Sequence, residues 1–117
     1  MDVISLRGLR VTGTHGVLTE EQSRAQPFEV DLDVHADLRP AGASDDLDDT
    51  VDYAALAEAA ARIVSAERYH LLERVAERIA EVALGDERVQ SVTVTVRKLR
   101  PPVPLDLAFT AVTITRP

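Results

Sequence analysis

A lysine stands where the hydrophobic pattern of this sequence calls for an apolar side chain. Val92, Val94 and Val96 alternate with polar residues in a run that ends at Lys98, and Lys98 falls on the valine side of that alternation. One interpretation is a strand-end lysine whose stem lies along apolar surface while its ammonium reaches water. The other is a partly desolvated amine, which releases its proton more readily and so suits proton transfer or imine chemistry.

Three other residues have side chains that suit a ligand site, and each also has a purely structural interpretation. Glu73 lies in the first turn of the second predicted helix, where its carboxylate suits either the helix dipole or a bidentate, charge-assisted pair with the amino and ring N–H groups of a ligand. Tyr53 stands just before the first helix and either covers its start or stacks on a flat ligand and passes a proton. Glu21 lies in a polar loop, where a carboxylate is usually solvated.

The sequence offers no other familiar catalytic motif. His15, His35 and His70 match no zinc spacing and fall on three different predicted elements, so no metal site is expected. Neither a glycine-rich phosphate loop nor a nucleophile elbow is present.

Length, charge and composition narrow the class of protein. The 117 residues are 45% hydrophobic, which predicts one domain over residues 1–117 with a single core. A net charge of −7 argues against a nucleic-acid partner, because phosphate backbones need a basic surface, and favours a small ligand or another protein. The chain has no cysteine, no apolar run of membrane length and no signal-peptide pattern, so we expect a cytoplasmic protein with no membrane partner.

Two strands, two helices and two further strands are predicted, in that order, and they must position these side chains. The first strand changes the parity of its apolar residues near Gly8, which predicts a bulge, and it ends at residues 14–16. The second covers 28–38 with strict alternation. The first helix covers 53–66, with Thr50 or Asp52 as its N-cap, and the second covers 70–84. The last strands cover 91–98 and 108–115. Residues 17–26 and 39–50 are predicted to be loops.

This order of elements predicts an α+β fold in which a four-stranded antiparallel sheet carries both helices on one face. The other sheet face is polar, with acidic residues on the second strand and Thr93, Thr95 and Arg97 on the third. Such a face could line a water-filled interior if several sheets joined edge to edge, and exposed strand edges favour that kind of pairing.

Four segments of the sequence resemble, in this order and spacing, the dihydroneopterin aldolase family of folate biosynthesis. They are TGTHGVLTEEQ at 12–22, SDDLDDTVDYAALAE at 44–58, LLERVAERIAE at 71–81 and VRKLRPPVP at 96–104. The resemblance covers almost the whole chain and implies the tunnelling fold, in which ββααββ subunits form a ring of four and two rings stack into an octamer. The chain departs from the family at 105–109, where a glycine and an aromatic residue usually follow the prolines.

The resemblance implies a reaction and catalytic roles for three residues. The reaction cleaves the C1′–C2′ bond of 7,8-dihydroneopterin to give 6-hydroxymethyl-7,8-dihydropterin and glycolaldehyde. Lys98, through a water, would move protons at the 2′-hydroxyl and N5, Glu21 would orient the lysine or the water, and Tyr53 would assist protonation of the enol. Because the pterin's own C6=N5 imine accepts the electrons, no Schiff base, metal or other cofactor is implied.

The resemblance also implies how the pterin is held. Glu73 would bind its 2-amino and N3 edge, and Tyr53 would stack on the ring. Further contacts would come from backbone groups near Val51 and Leu72, and from the turn at Val17 and Leu18. In a homo-oligomer with shared sites, Tyr53 and the Glu21 loop would reach the ligand from one subunit, and Glu73 and Lys98 from the next.

Three alternatives stay open at this stage. An epimerase acting on dihydroneopterin or its triphosphate would use the same residues, since retro-aldol cleavage and re-addition invert C2′, and Arg97 and Arg100 are the nearest candidates to hold phosphates. A non-catalytic pterin- or purine-binding module would bind without turnover. A structural assembly protein would form a closed ring through its sheet edges and bind no ligand.

Overall fold

The sheet is built from strands whose alternating apolar residues face the same side. The computed structural model describes residues 1–117. The strands are β1 (Asp2–His15), β2 (Gln26–Ala36), β3 (Arg68–Tyr69), β4 (Ser91–Lys98) and β5 (Thr110–Arg116). The helices are α1 (Arg39–Ser44), α2 (Tyr53–Ala66) and α3 (Leu72–Ala83), and two short 3-10 helices span Thr19–Gln22 and Leu47–Asp49.

The sheet has the strand order β3-β1-β2-β4-β5. The pairs β1–β2, β2–β4 and β4–β5 are antiparallel, so the predicted α+β arrangement is confirmed. The predicted count of four strands is wrong, because the two-residue β3 adds a fifth strand, parallel to Thr14 and His15 at the end of β1. A strand of two residues is too short to give a period-2 signal in the sequence.

The predicted bulge in β1 is confirmed. The β1–β2 register shifts between Leu6 and Leu9, and Gly8 adopts φ 70°, a left-handed conformation that favours glycine. The Gly8 N–H donates to Asp31 Oδ1 at 2.8 Å, which ties the bulge to the neighbouring strand. Both halves of β1 therefore present their apolar side chains to the same core.

The core lies between this sheet and the two longer helices. Nineteen buried apolar residues form one cluster, most of them from β2, β4, α2 and α3. β2 supplies Phe28, Val30, Leu32 and Val34. Just before α2, the Asp52 side chain accepts from the Ala55 N–H at 3.1 Å, so Asp52 and not Thr50 is the N-cap. None of the helices is both long enough and apolar enough to cross a lipid bilayer.

Four helical segments differ from the predictions. α3 begins at Leu72 rather than at residue 70, because the chain first forms β3 and a turn. α1 and the two 3-10 helices lie in segments that were predicted to be loops. The loop prediction is wrong there because prolines, glycines and acidic residues favour turns, and single helical turns have nearly the same composition as turns.

The opposite face of the sheet is polar, as predicted. Arg97 donates to Glu29 at 3.2 Å and to Asp31 at 2.8 Å across the β2–β4 pair. The hydroxyls of Thr93 and Thr95 each pair with a threonine of β5 at 2.9 Å. The charges and hydroxyls on this face are therefore satisfied between neighbouring strands.

α2 and α3 run in opposite directions, and this separates the residues at their starts. Val51 and Asp52, at the start of α2, line the same hollow as Val82 and Ala83 at the end of α3. Only five residues connect the two helices, so the start of α3 lies near the end of α2. Tyr53 and Glu73, the first and second residues of their helices, consequently lie at opposite ends of the helical layer.

Candidate functional site

Lys98 is the last residue of β4 and the only lysine in the chain. Its side chain lies on the core side of the sheet and only 8% of the residue is exposed, so its predicted position on the inner face is confirmed. The ammonium Nζ donates to Glu21 Oε2 at 2.8 Å. The alternative of a strand-end lysine that reaches water is therefore wrong, since the ammonium is held by a buried carboxylate.

Glu21 is turned inward by the 3-10 helix Thr19–Gln22 and is only 2% exposed. The expectation of a solvated loop carboxylate is wrong. The chain packs closely here because Gly16 has no side chain: with φ 156°, a Cβ at that position would lie 2.4 Å from the Glu21 carboxyl carbon. The Leu18 N–H also donates to Glu21 Oε1, at 3.4 Å.

The Glu21 carboxyl is ionised when it meets Lys98. Burial raises its pKa, but hydrogen bonds from Lys98 and Gln26, together with the Lys98 charge, outweigh burial and hold the pKa of Glu21 below its usual 4.5. Near neutral pH Glu21 is therefore a buried carboxylate, with Lys98 Nζ 2.8 Å from its Oε2. The Lys98 amine is thereby held in one position by its hydrogen bond to Glu21.

Gln26 fixes the orientation of the Glu21 carboxylate. Its amide Nε2 donates both to Glu21 Oε2 at 3.2 Å and to the His15 carbonyl at 3.1 Å. Gln26 was not among the predicted site residues, although its position in β2 indicates an inward side chain. It shares the parity of Phe28 and Val30, as Lys98 shares that of the valines in β4.

His15 is buried and serves the backbone. The Tyr69 N–H donates to its Nδ1 at 3.1 Å, so the proton lies on Nε2, which donates to the Val64 carbonyl at 2.7 Å. Burial is the largest influence on this ring and lowers the pKa of His15 below 6.5. His15 thus joins β1, α2 and β3 as a neutral imidazole. No three histidine or acidic side chains of the chain converge in a group that could hold a metal ion.

The other predicted site residues fall into two groups. Val17 and Leu18 are exposed in the loop that leads to Glu21, and Leu72 and Glu73 begin α3, three and four residues after Tyr69, which bonds to His15. Glu73 is exposed and makes no ion pair or side-chain hydrogen bond within the chain. Tyr53, 57% exposed, and the buried Val51 lie at the other end of the helical layer.

The predicted division of these residues between subunits is wrong in one respect. Glu21 was expected to reach the ligand from a different subunit than Lys98, whereas the two side chains are hydrogen-bonded within one chain. The resemblance supplied the residues but not their distances, and the fold of residues 16–22 decides which carboxylate meets the lysine. One chain therefore presents the buried Lys98–Glu21 pair, the exposed loop that leads to Glu21, and an unpartnered Glu73 carboxylate at the start of α3.

Comparison with known proteins identifies the family. The family model described as "FolB: Dihydroneopterin aldolase" matches residues 4–115. The chain is 44% identical over 115 residues to the dihydroneopterin aldolase of Streptomyces coelicolor, which covers 98% of this chain and 95% of that protein. It is also 44% identical over 117 residues to that of Bacillus subtilis, covering 99% of this chain and 98% of that protein.

A solved structure agrees with the sequence comparison. The E. coli dihydroneopterin aldolase in complex with neopterin aligns with a TM-score of 0.91 at 34% identity, covering 100% of both chains. The fold implied by the resemblance is confirmed by this match, with the short β3 as the addition noted above. The chain belongs to the dihydroneopterin aldolase family.

Proposed function

We propose that this protein cleaves 7,8-dihydroneopterin by a retro-aldol reaction, giving 6-hydroxymethyl-7,8-dihydropterin and glycolaldehyde for folate biosynthesis. The observation that carries the proposal is the buried Lys98–Glu21 pair, 2.8 Å apart, in a chain similar over its whole length to dihydroneopterin aldolases. The relative from E. coli was solved with neopterin bound. All the residues used belong to the single domain expected for 1–117.

The exposed end of α3 provides the binding group. Glu73 stands in the first turn of α3 with no partner of its own, so its carboxylate is available to accept from the 2-amino group and N3–H of a pterin. Leu72 and Val51 are expected to contribute backbone contacts, and Val17 and Leu18 to flank the ring. The two carboxylate oxygens of Glu73 would hold the pterin ring in one orientation, with its C6 side chain directed toward Lys98.

Lys98 is the proton carrier in this proposal. The Lys98 ammonium gives a proton to N5 through a water, and the resulting amine takes the proton of the 2′-hydroxyl as the C1′–C2′ bond breaks. The electron pair of that bond forms the C1′=C6 bond of an enol, the C6=N5 pair moves onto N5, and C2′ leaves as the aldehyde carbon of glycolaldehyde. When C1′ is then protonated, N5 loses its proton and the C6=N5 imine is restored. Glu21 stabilises the charged lysine at the start and end of this cycle, so no Schiff base is needed.

Tyr53 completes the reaction from a neighbouring copy of the chain. α3 is 12 residues long, about 18 Å at 1.5 Å per residue, and Tyr53 lies beyond its far end from Glu73. We therefore assign Tyr53 to a neighbouring subunit, where its ring stacks on the pterin and its hydroxyl assists protonation of C1′. The edges of β5 and most of β1 are unpaired and suit a homo-oligomeric ring, a tetramer or an octamer of two rings. A cytoplasmic location stays a prediction.

Turnover of 7,8-dihydroneopterin tests the proposal. Glycolaldehyde and 6-hydroxymethyl-7,8-dihydropterin are expected in equal amounts, and Lys98→Ala should abolish both while leaving binding of neopterin measurable. Formation of monapterin without glycolaldehyde would establish an epimerase instead, and binding without any turnover would establish a binding module. Light scattering tests the shared site, because an active strict monomer is incompatible with a Tyr53 supplied by another copy.

A further inference from the structure

A hollow beside the Lys98–Glu21 pair is lined by two arginines. Its walls are Arg24, Ala25, Gln26, Pro27 and Arg100, and its volume is ≈ 280 Å³. Arg24 and Ala25 lead into β2, and Arg100 follows the end of β4. The Leu99 N–H donates to the Pro27 carbonyl at 3.3 Å, which keeps the chain that carries Arg100 against this wall.

These two arginines differ from most of the others in the chain. Eight arginines form ion pairs with carboxylates, including Arg97, which is held by Glu29 and Asp31 on the polar sheet face. Arg24 and Arg100 form no ion pair or hydrogen bond within the chain, although acidic residues outnumber basic ones by 20 to 13. Two unpartnered arginines that line one hollow suit a phosphate, because its oxygens can accept paired hydrogen bonds from each planar guanidinium group.

The hollow lies next to the reacting end of the proposed site. Its Gln26 wall donates to Glu21 Oε2 at 3.2 Å, and the same oxygen accepts from Lys98 Nζ at 2.8 Å. If Lys98 acts at the 2′-hydroxyl, the terminal C3′ oxygen of the substrate is the next polar atom along the side chain. A phosphate ester on that oxygen would extend past the atom that Lys98 serves, and the hollow that shares Gln26 with the Lys98–Glu21 pair has two arginines to bind it.

We propose that the Arg24–Arg100 hollow is a phosphate subsite, and that the protein prefers a dihydroneopterin carrying a phosphate ester on its terminal side-chain oxygen. This inference rests on the proposed function and names its substrate class. The bonds that change are the same: C1′–C2′ breaks, the 2′-hydroxyl loses its proton, and C1′ gains one. The ester is untouched and leaves on the two-carbon aldehyde as phosphorylated glycolaldehyde, so nothing is oxidised or reduced. Arg97, one of the two sequence-based candidates for phosphate binding, is excluded by its own ion pairs.

The test compares kcat/KM for 7,8-dihydroneopterin and its 3′-monophosphate. The phosphate ester should be preferred by about tenfold or more, mostly through KM, as expected for charge-assisted hydrogen bonds. The double variant Arg24→Gln/Arg100→Gln should bring this ratio to about one. Arg62→Gln is the matched control, because Arg62 is exposed, makes no ion pair and lies on α2, and it should leave the ratio unchanged.

Three results would overturn the inference. Cleavage of dihydroneopterin with no preference for its phosphate ester refutes the subsite and leaves the proposed function intact. If neither compound is cleaved, the proposed function fails, and calorimetry with neopterin and neopterin 3′-monophosphate still decides the subsite: equal affinities refute it. Inorganic phosphate that binds the wild type as tightly as the ester does, and is lost in the double variant, would show a site for free phosphate instead.

Discussion

Replacing Glu21 by an apolar residue of similar size should cost far more stability than a loop substitution normally does. Glu21→Met leaves the Lys98 ammonium, which is only 8% exposed, without an anion. Removing one partner of a buried ion pair costs about 3–5 kcal/mol in free energy of unfolding, whereas surface substitutions stay within about 0.5 kcal/mol. Because both partners are almost fully buried, solvent screening does not reduce the larger figure.

The reciprocal variant should behave in the same way. Lys98→Met leaves the Glu21 carboxylate buried with hydrogen bonds from Gln26 and the Leu18 N–H only, so we expect a loss of about 3 kcal/mol. The double variant Glu21→Met/Lys98→Met removes both charges at nearly constant volume and should recover at least about 2 kcal/mol of the summed losses. Glu21→Gln, which keeps an acceptor for Nζ and removes only the charge, should lie between Glu21→Met and the wild type.

Urea unfolding near neutral pH measures these differences. All variants are compared at one protein concentration, because the stability of an oligomer depends on concentration. Turnover of 7,8-dihydroneopterin is followed in parallel, and the double variant should be stable yet inactive. Single variants that each lose less than about 1 kcal/mol, and losses that add within about 0.5 kcal/mol, would refute the buried pair as described.

Three further predictions follow from neighbouring residues. Stability should fall in two steps on acidification, because the fold lowers the pKa of both His15 and Glu21. The unfolded chain therefore gains a proton at His15 below about pH 6.5, and at Glu21 below about pH 4.5, before the folded chain does. Urea unfolding midpoints across this pH range measure both steps, and His15→Gln should remove the upper one. Gly16→Ala should cost about 1–3 kcal/mol in free energy of unfolding and most of kcat, because the new Cβ would displace the Glu21 carboxylate. Gly8→Ala is the control: a Cβ there meets nothing within 4 Å, so this variant should lose stability and keep its kcat. Glu73→Gln should weaken neopterin binding roughly 10- to 100-fold in calorimetry with an unchanged unfolding midpoint, and a large stability loss would contradict its exposed, unpartnered state.

The sheet and the lysine could be predicted because both depend on local periodicity. Strict alternation in β2 and β4 fixes which side chains face the core, and a charged residue on the apolar parity is visible at once. The same rule points to Gln26, whose parity places it on the inner face beside Lys98. The capping residue Asp52 and the bulge at Gly8 are equally local, since each depends on a few neighbouring residues.

The partner of Lys98 could not be predicted from local pattern. Glu21 and Lys98 are 77 positions apart, and Glu21 becomes buried only because Gly16 permits a close approach and residues 19–22 form one helical turn. The two-residue β3 has the same difficulty, because its pairing with Thr14 and His15 depends on where α2 ends. Contacts between distant segments carry no period that a single sequence can display.

In the proposed site, the residues assigned to the chemistry lie apart from those assigned to recognition of the substrate's side chain. Lys98 pairs with Phe28 at the end of β4, and Gln26 lies two residues before Phe28 at the start of β2. The packed core therefore holds the proposed proton-transfer group rigidly. Arg24 and Arg100 lie just outside those strand ends, where the backbone can change without disturbing the core. Substitutions at Arg24 and Arg100 should therefore change which side chains are accepted, whereas changes at the strand ends should alter the proton chemistry for every substrate alike.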